Sequence, residues 1–393
     1  MDPIRNPYTP GAGARPPALT GRDAELERFR VLLHRLERGR HEKSLLITGL
    51  RGAGKTVLLN TYRDIAVEAG WFAADTEIRT GTTLTPVIAR LARRVLLDMS
   101  GRERLRDRAR QALGVLRAFS LRHGELELRF DVDAIAGRAD SGDLEEDIVD
   151  LIAELGETAR DAGTGVVFLM DEIQFLSRAD LEALIAAMHR ASQRNLPVTI
   201  VGAGLPLLPR LAGEARSYAE RLFDFRSIGS LPDADAKEAL LIPAREENAE
   251  WENAALELAL DYTEAYPYFL QEYGKHAWLE APEPPISRAD VQRAHPLVLA
   301  ELDEGFFHVR LERSTDAERR YMAAMADLGD GAQRSGEIAH RLGYDSSTAV
   351  SVTREQLLKK GLIFSPTHGQ VDFTVPQFGA YIRRNYALEA ENA

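Results

Sequence analysis

The sequence contains no cysteine, so disulfides, Cys-based zinc sites, iron–sulfur clusters and thiol nucleophiles are excluded. It also lacks any apolar run approaching the roughly 18 to 20 residues that a transmembrane helix needs. Its first residues, Met1 to Pro7, carry no hydrophobic segment of the kind found in signal peptides. These absences predict a cytoplasmic protein without a membrane partner.

Positive charge is also in deficit, because the 393 residues carry a formal net charge of −12. This balance argues against a protein that binds nucleic acid over its whole surface, although it leaves room for a local DNA-binding face. The apolar fraction of 45% and the charged fraction of 28% are ordinary for a globular protein. The length predicts two or three domains.

One motif carries a specific chemistry, the sequence G-x-x-x-x-G-K-[ST] of a phosphate-binding loop. It comprises Gly49, Leu50, Arg51, Gly52, Ala53, Gly54, Lys55 and Thr56. It follows an apolar strand, Ser44 to Thr48, and opens a helix, which is the context that the motif requires. The loop amides are expected to surround a β-phosphate, Lys55 to bridge the β- and γ-phosphates, and Thr56 to bind Mg²⁺. ATP and Mg²⁺ are therefore the predicted ligands.

An acidic pair follows the second apolar strand of interest, Val166 to Met170. Asp171 at the carboxyl end of that strand is expected beside the P-loop, where α/β sheets bind ligands, and would coordinate Mg²⁺ through water. Glu172 is placed to orient or deprotonate the attacking water. Gln174 either helps to position water or is simply a solvated helix residue.

Strand and helix patterns alternate through the first part of the chain, which predicts an α/β fold with a doubly wound parallel sheet. Further strands are expected near residues 71–78, 197–202 and 222–228. We expect an extended arm over residues 1–20, because prolines and glycines are frequent there. The ATPase core is expected over 21–232, with a charged insertion at about 101–146 that includes a hairpin around His123-Gly124. A helical lid over 233–307 and a winged helix over 308–393 complete the predicted domains.

The order of these motifs resembles the AAA+ and STAND P-loop ATPases, specifically the branch similar to origin-recognition and initiator ATPases. Ala18 to Leu26 is similar to the "GR-x-x-E-L" segment that lies against the adenine in that family, which implies that Arg22 contacts nucleotide. Met170 to Gln174 is similar to its Walker B motif, and Ala265-Tyr266-Pro267 to the G-x-P element of STAND lids. Charge on the γ-phosphate calls for a further cation. Arg221, which matches the place of the family's interface arginine, is the first candidate, and Arg216 the second.

Two departures from the family pattern imply slow hydrolysis and a nucleotide that acts mainly as a conformational switch. The strand at the sensor-1 position ends in Gly202-Ala203-Gly204, where many AAA+ proteins carry Asn, Ser or Thr. The lid has no clear sensor-2 arginine, since only Lys275 and His276 lie near the usual position.

The C-terminal pattern of helices followed by two short strands around residues 367–369 is that of a winged helix-turn-helix. If it binds duplex DNA, the residues expected in the major groove are Ser347, Thr348, Ser351 and Arg354, with Lys359 and His368 near phosphates. Basic and acidic residues are nearly balanced there, so a protein-docking module is the alternative.

Two functions follow from the sequence. The first is a nucleotide-switched ATPase that forms a homo-oligomer through its core, with ATP or ADP at the subunit boundary, and contacts DNA. The second is a STAND-like signalling or scaffold ATPase whose winged helix docks a protein partner. A kinase using the same loop is a weaker interpretation, because Asp171-Glu172 favours water as the acceptor.

Overall fold

The computed structural model describes residues 1–11, 13–124 and 131–386. The strands are β1 (Ser44–Thr48), β2 (Phe72–Glu77), β3 (Val166–Asp171), β4 (Val198–Gly204), β5 (Phe223–Ser227), β6 (Gln333–Arg334), β7 (Ile363–Phe364) and β8 (Gln370–Phe373). The helices are α1 (Asp23–Glu37), α2 (Lys55–Glu68), α3 (Leu84–Ser100), α4 (Arg106–Arg122), α5 (Leu144–Asp161), α6 (Arg178–Gln193), α7 (Leu208–Ala215), α8 (Ala219–Leu222), α9 (Asp233–Glu246), α10 (Asn253–Thr263), α11 (Pro267–Glu280), α12 (Arg288–Glu301), α13 (Val309–Glu312), α14 (Asp316–Asp327), α15 (Ser335–Arg341), α16 (Ser351–Lys359) and α17 (Phe378–Asn385).

A five-stranded parallel sheet in the order β2-β3-β4-β1-β5 forms the centre of the core. The three central strands β1, β3 and β4 are buried along their whole length, as strands covered on both faces must be, whereas the edge strands β2 and β5 are partly exposed. Residues along β1 alternate between two hydrophobic clusters: Leu45 and Ile47 pack with α1 and α2, and Leu46 packs with α3 to α6. The predicted α/β fold with a parallel sheet is therefore confirmed.

The strand order brings the two predicted nucleotide motifs to one edge. Only β4 separates β1 from β3. The carboxyl ends of all strands in a parallel sheet lie at the same edge, where a crossover in strand order opens a crevice for a ligand. The loop after β1 and the acidic residues after β3 consequently face the same crevice.

The charged stretch that we expected as an insertion contains a core helix. In α4, Leu113, Leu116 and Phe119 are buried, and the helix packs between α3 and α5. Arginines on the opposite face dominate the local composition, and they conceal the apolar spacing that defines this helix. The hairpin expected around His123-Gly124 lies in part outside the described residues, since α4 ends at Arg122 and residues 125–130 follow its terminal turn.

The helical region that follows the core contains α9 to α12 and continues without a break past the expected lid boundary at residue 307. A π-helix over Leu302–His308 and then α13 extend α12, and the helical run stops at Ser314. The chain turns there because Thr315 and Glu318 form a capping box that starts α14. We call residues 302–313 the connector.

Residues 316–386, the C-terminal module, contain α14 to α17 and a three-stranded antiparallel sheet in the order β6-β8-β7. Residues 1–20 are called the arm. Its described residues, 1–11 and 13–20, cross the lid in an irregular conformation that includes a 3-10 turn at Pro3–Arg5. Thr20 does not cap α1, because its hydroxyl donates to the Asp235 carbonyl. No helix in the described part of the chain is long and apolar enough to cross a bilayer.

Candidate nucleotide-binding site

A cavity of about 640 Å³ lies at the carboxyl edge of the sheet and is bordered by residues of the core, the lid, the arm and the connector. The core lines it with Arg22, Arg51 to Thr56, Asp171 and Glu172; the lid with Pro267, Tyr268, Leu270 and Gln271; the arm with Thr9, Pro10, Gly11, Gly13, Ala14 and Pro16; and the connector with Gly305, Phe306 and Arg310. Its size is that of a small-molecule ligand site.

The P-loop joins β1 to α2 with the geometry that its glycines allow. Gly54, which precedes the first residue of α2, has φ +91, a conformation that other residues rarely adopt. Gly49 lies so close to Ile228 that an added Cβ would be 2.4 Å from its carbonyl oxygen. The amides at the start of α2 therefore face the cavity with the positive end of the helix dipole, as phosphate binding requires.

Thr56 and Asp171 meet in the cavity, although the two motifs are far apart in the sequence. The Thr56 hydroxyl donates to Asp171 Oδ2 over 2.5 Å. Burial raises the pKa of the Asp171 carboxyl, while the bond from Thr56 opposes the shift. A hydroxyl beside a buried carboxylate is a donor set that suits Mg²⁺, which binds hard oxygen ligands.

Lys55 is buried in the loop and forms no ion pair with any residue that the structure describes. Its Nζ donates to the Gly49 and Leu50 carbonyls over 2.9 and 3.0 Å. Burial lowers the pKa of the Lys55 amine, and the nearby Arg51 also lowers it, while Glu172 and Asp171 raise it. Gly49 and Leu50 thus contribute carbonyls that hold the lysine, and the sheltered ammonium fits a phosphate.

Glu172 is held by Gln174, a residue whose role the sequence left open. Gln174 Nε2 donates to Glu172 Oε2, and Gln174 Oε1 accepts from the Leu205 amide over 3.1 Å. An added Cβ at Gly204 would lie 2.4 Å from Gln174 Oε1. The glycine at the end of β4 therefore makes room for the glutamine, and this explains why no polar side chain occurs at that strand end.

Arg22 contacts backbone rather than open space. Its Nη2 donates to the Gly229 carbonyl over 2.8 Å and to the Ala53 carbonyl over 3.3 Å, so it ties the P-loop to the segment before the lid. Burial lowers the pKa of its guanidinium, while Glu25 and Asp235 raise it. The residue lines the cavity, and its direct bonds position the loop.

The two arginine-finger candidates lie elsewhere. Arg221, at the end of α8, is exposed, does not line the cavity, and forms no ion pair within the described ranges. Arg216 forms an ion pair with Glu145 and does not line the cavity either.

Sequence reasoning missed Arg310, which lines the cavity from the connector. Its guanidinium lies 3.9 Å from the centre of the Phe306 ring. The residue lies outside the expected lid, where a cation for the nucleotide was sought. Its only sequence signal is the aromatic residue four positions earlier, a spacing that places two side chains on one helix face.

A group of possible metal ligands, Glu272, His276 and Glu301, lies on α11 and α12, with its ligand atoms within 4.8 Å of one another. Lys275 already occupies this group, since its Nζ donates to Glu301 over 2.7 Å and His276 contacts the same carboxylate. The group therefore acts as an ion-pair network between two helices.

The C-terminal residues expected to contact DNA are only partly presented. Ser347, Thr348, Ser351 and His368 are exposed. Arg354 is instead half-buried, with its Nη2 donating to Ser365 over 3.3 Å and its Nε enclosed, because the side chain folds back onto the segment after β7. Lys359 is paired with Glu355 over 2.7 Å.

Comparisons with known proteins agree with this geometry. Residues 18–201 match the family model of the AAA ATPase domain, and residues 304–382 match that of a domain of unknown function, DUF8462. A search of curated proteins found no match. The chain is similar in structure to the Walker-type ATPase PABY2304 of Pyrococcus abyssi, with 15% identity, a TM-score of 0.58 and coverage of 93% of this chain and 96% of that one.

Two other solved structures show a lower similarity. The Aeropyrum pernix ORC1 protein, solved in complex with DNA, has 16% identity and a TM-score of 0.46, with coverage of 97% and 96%. The RuvB Holliday junction branch migration motor of Thermotoga maritima has 16% identity and a TM-score of 0.45, with coverage of 96% and 100%.

Proposed function

We propose, from the premise that this protein is an ATPase with an AAA ATPase domain at residues 18–201, that its cavity binds magnesium–ATP and that the nucleotide controls how the lid and C-terminal module are held. The observation that carries the proposal is the convergence of Thr56 and Asp171 within 2.5 Å at the edge of the cavity. A P-loop alone is a motif, whereas a P-loop with its acidic partner in place is a site.

Each residue of the core has a role that its position supports. The amides at the start of α2 bind the β-phosphate, and Lys55 exchanges its loop carbonyls for the β- and γ-phosphates. Thr56 and Asp171 hold Mg²⁺, which when bound neutralises charge on the phosphate oxygens. Arg22 fixes the P-loop through the Ala53 carbonyl.

Glu172 is the proposed general base. It lines the cavity next to Asp171 and is held by Gln174, so its carboxylate has a defined direction. It accepts a proton from the attacking water while that water adds to the γ-phosphorus, and the bond to the β-phosphate oxygen breaks. Glu172→Gln removes the acceptor and preserves the shape.

The switch follows from what borders the cavity. The arm, the lid and the connector each supply lining residues. A ligand that contacts all of them stabilises the arrangement in which they are assembled, and loses those contacts when its γ-phosphate leaves.

DNA contact and self-association are the finer part of the proposal. The order of helices and the antiparallel sheet in the C-terminal module supports a winged helix, with exposed Ser347, Thr348 and Ser351 at the start of its second helix. The exposed Arg221 is the residue that we propose to complete the site of a neighbouring copy. Duplex DNA and a homo-oligomer are the partners that this arrangement suits.

The second candidate function, docking of a protein partner, is favoured by how the charges of the module are used. Several of its cations are engaged in ion pairs, among them Arg341 with Asp327, Arg383 with Asp330 and Lys360 with Glu318. Val352 is 69% exposed on α16, where a DNA-binding helix would carry polar residues. An apolar side chain there suits a protein surface better than a phosphate backbone.

Particle size measured with and without a non-hydrolysable ATP analogue, and with and without duplex DNA, separates these functions. The DNA-binding oligomer predicts a larger particle with the analogue and a further increase with DNA at low salt, and Lys55→Ala abolishes both. The docking ATPase predicts no effect of DNA and a stoichiometric protein partner that is lost in Lys55→Ala. A monomer in every nucleotide state, without DNA or protein bound, contradicts both.

A further inference from the structure

Arg310 points its charge at the nucleotide cavity from outside the ATPase core. Arg310 lies one helical turn after Phe306 in the connector. The Phe306 ring stacks on the Tyr268 ring of the lid at a centroid distance of 4.7 Å. The Arg310 guanidinium lies over the Phe306 ring, 3.9 Å from its centroid. One of the guanidinium nitrogens donates a hydrogen bond to the Phe306 carbonyl. The side chain is therefore held in one direction by a cation–π contact and a backbone bond.

No carboxylate neutralises this charge within residues 1–11, 13–124 and 131–386. Arg310 forms no ion pair there, and its Nε is enclosed without a hydrogen-bond partner. Burial lowers the pKa of the guanidinium to about 10, with a further contribution from Arg51. A sheltered arginine without an anion is unusual, because guanidinium groups away from water are normally paired.

A second cation on the P-loop faces the same region. Arg51 lines the cavity and is close enough to Lys55 and Arg310 to lower the pKa of both. Its side chain also forms no ion pair in the part of the chain that the structure describes. Glu172 and Asp171 offset the charge of Lys55, but neither arginine has an ion-pair partner among the described residues, so the two form a pair of like charges at one side of the cavity.

The same Arg51 joins the P-loop to the C-terminal module. Its amide donates to the Thr374 carbonyl over 3.1 Å, and its carbonyl accepts from the Tyr266 hydroxyl over 2.8 Å. An added Cβ at Gly361 would lie 2.9 Å from Arg51 Nη2, so the guanidinium lies directly against the module. Arg51 therefore lies between the P-loop and the module, while Arg310 lines the same cavity from the connector that leads into the module.

We propose that Arg310 and Arg51 form a second anion subsite of the cavity, which takes the terminal phosphate of a nucleoside triphosphate and locks the C-terminal module onto the P-loop. The subsite rests on the proposed nucleotide site and adds residues beyond the predicted lid. A terminal phosphate neutralises both arginines, so it favours the seated arrangement over any arrangement that separates them. By linkage, the seated module strengthens triphosphate binding by the same factor. A diphosphate lacks the group that reaches the subsite.

The test compares the dissociation constants of magnesium–ADP and of a non-hydrolysable ATP analogue in matched variants of the full chain. Arg310→Met keeps the contact with Phe306 and removes the charge. Arg51→Met is an independent variant on the other side of the subsite. Arg313→Met is the control, since Arg313 is an exposed cation in the same segment that also lowers the pKa of Arg310.

We expect Arg310→Met and Arg51→Met to weaken the affinity for the ATP analogue about 10- to 100-fold, the loss expected for hydrogen bonds to a charged group. The affinity of either variant for ADP should change less than about threefold. Arg313→Met should leave both constants within about threefold. Equal affinities of wild type and Arg310→Met for the analogue would overturn the subsite. So would a loss of affinity in Arg310→Met that is equally large for ADP and for the analogue. If wild type binds neither nucleotide, the proposed function itself fails.

Seating of the module provides a second readout that does not depend on affinity. The chain has no cysteine, so Val67→Cys on α2 and Val352→Cys on α16, which are 58% and 69% exposed, give one clean pair of labels. We expect the ATP analogue to narrow the distance distribution between the labels more than ADP does, and Arg310→Met to abolish this difference. The same distribution with ADP and with the analogue in the wild type would contradict the lock.

Discussion

Thr56 Oγ1 lies 2.5 Å from Asp171 Oδ2 across a separation of 115 residues, so one hydrogen bond joins the two halves of the nucleotide site. The bond holds side by side the two oxygens that we propose as ligands of Mg²⁺. The bond also keeps a buried carboxylate satisfied when no cation is present.

Thr56→Val tests this relationship, because valine has the shape of threonine without the hydroxyl. We expect Mg²⁺ to lose most of its effect on the affinity for the ATP analogue. The affinity measured with Mg²⁺ should therefore fall about tenfold. Binding titrations with and without Mg²⁺ measure the change. Thr61→Val is the control, since the Thr61 hydroxyl only donates to the Val57 carbonyl within the same helix. A magnesium effect in Thr56→Val as large as in wild type would contradict the assignment.

Gly204→Ala tests the link between β4 and the proposed general base. The added methyl would overlap Gln174 Oε1, so the glutamine must move and release Glu172. We expect turnover to fall about tenfold, as for a displaced catalytic group, with an unchanged dissociation constant for the ATP analogue. Gly213→Ala on α7 is the matched control, because an added Cβ there meets no atom within 4 Å. Wild-type turnover in Gly204→Ala would show that Gln174 does not position Glu172.

Tyr8→Ala tests whether the arm helps to retain nucleotide. The Tyr8 hydroxyl donates to the Leu240 carbonyl over 2.6 Å and accepts from Trp251 Nε1 over 2.8 Å, and its ring packs against Gly274. Removing this buried side chain should destabilise the seated arm by ~3 kcal/mol. We expect the variant to release nucleotide faster than wild type does. We also expect a protease to cleave its arm faster. Ile4→Ala, at a residue 93% exposed, is the control. Identical release rates for Tyr8→Ala and wild type would exclude a role for the arm.

Lys360→Met tests the acid sensitivity of the C-terminal module. Burial alone would raise the pKa of Glu318, but the bonds from Lys360 and Thr315 outweigh it and lower that pKa overall. A carboxylate with a depressed folded-state pKa stabilises the fold above its unfolded pKa of about 4.3, and that stability is lost as the pH falls through the folded value.

We therefore expect Lys360→Met to lose about 1–2 kcal/mol of unfolding free energy at neutral pH, a value reduced for the partly exposed lysine, and to show a weaker loss on acidification. Denaturant titrations over a pH series measure both. Lys359→Met is the neighbouring control, since Lys359 pairs with an exposed Glu355. Parallel pH profiles for Lys360→Met and wild type would refute this account.

Local patterns were sufficient to predict the sheet and the motifs that it carries. The strand before the P-loop has the predicted bounds, Ser44 to Thr48, and the strand before the acidic pair differs from the prediction by one residue. Both are short apolar runs bounded by a glycine loop or a charge, and burial on two faces leaves little freedom for their register. The positions of Lys55 and Thr56 follow because the motif fixes where α2 begins.

Residues whose roles depend on distant partners could not be predicted. The significance of Gln174 depends on Gly204 and Leu205, and that of Tyr8 on Leu240 and Trp251. That of Arg310 depends on a cavity that the core, the lid, the arm and the connector line together. Arg354 has the spacing of an exposed helix residue but folds back to Ser365. In each example the deciding contact lies outside the window that periodicity describes.

The central claim, that this cavity hydrolyses ATP with Glu172 as the base, is tested most directly by phosphate release from wild type and Glu172→Gln at saturating magnesium–ATP. The account predicts that Glu172→Gln binds the nucleotide with wild-type affinity and that its turnover falls at least about 100-fold, the contribution of a general base. Phosphate release at the wild-type rate in Glu172→Gln would contradict it.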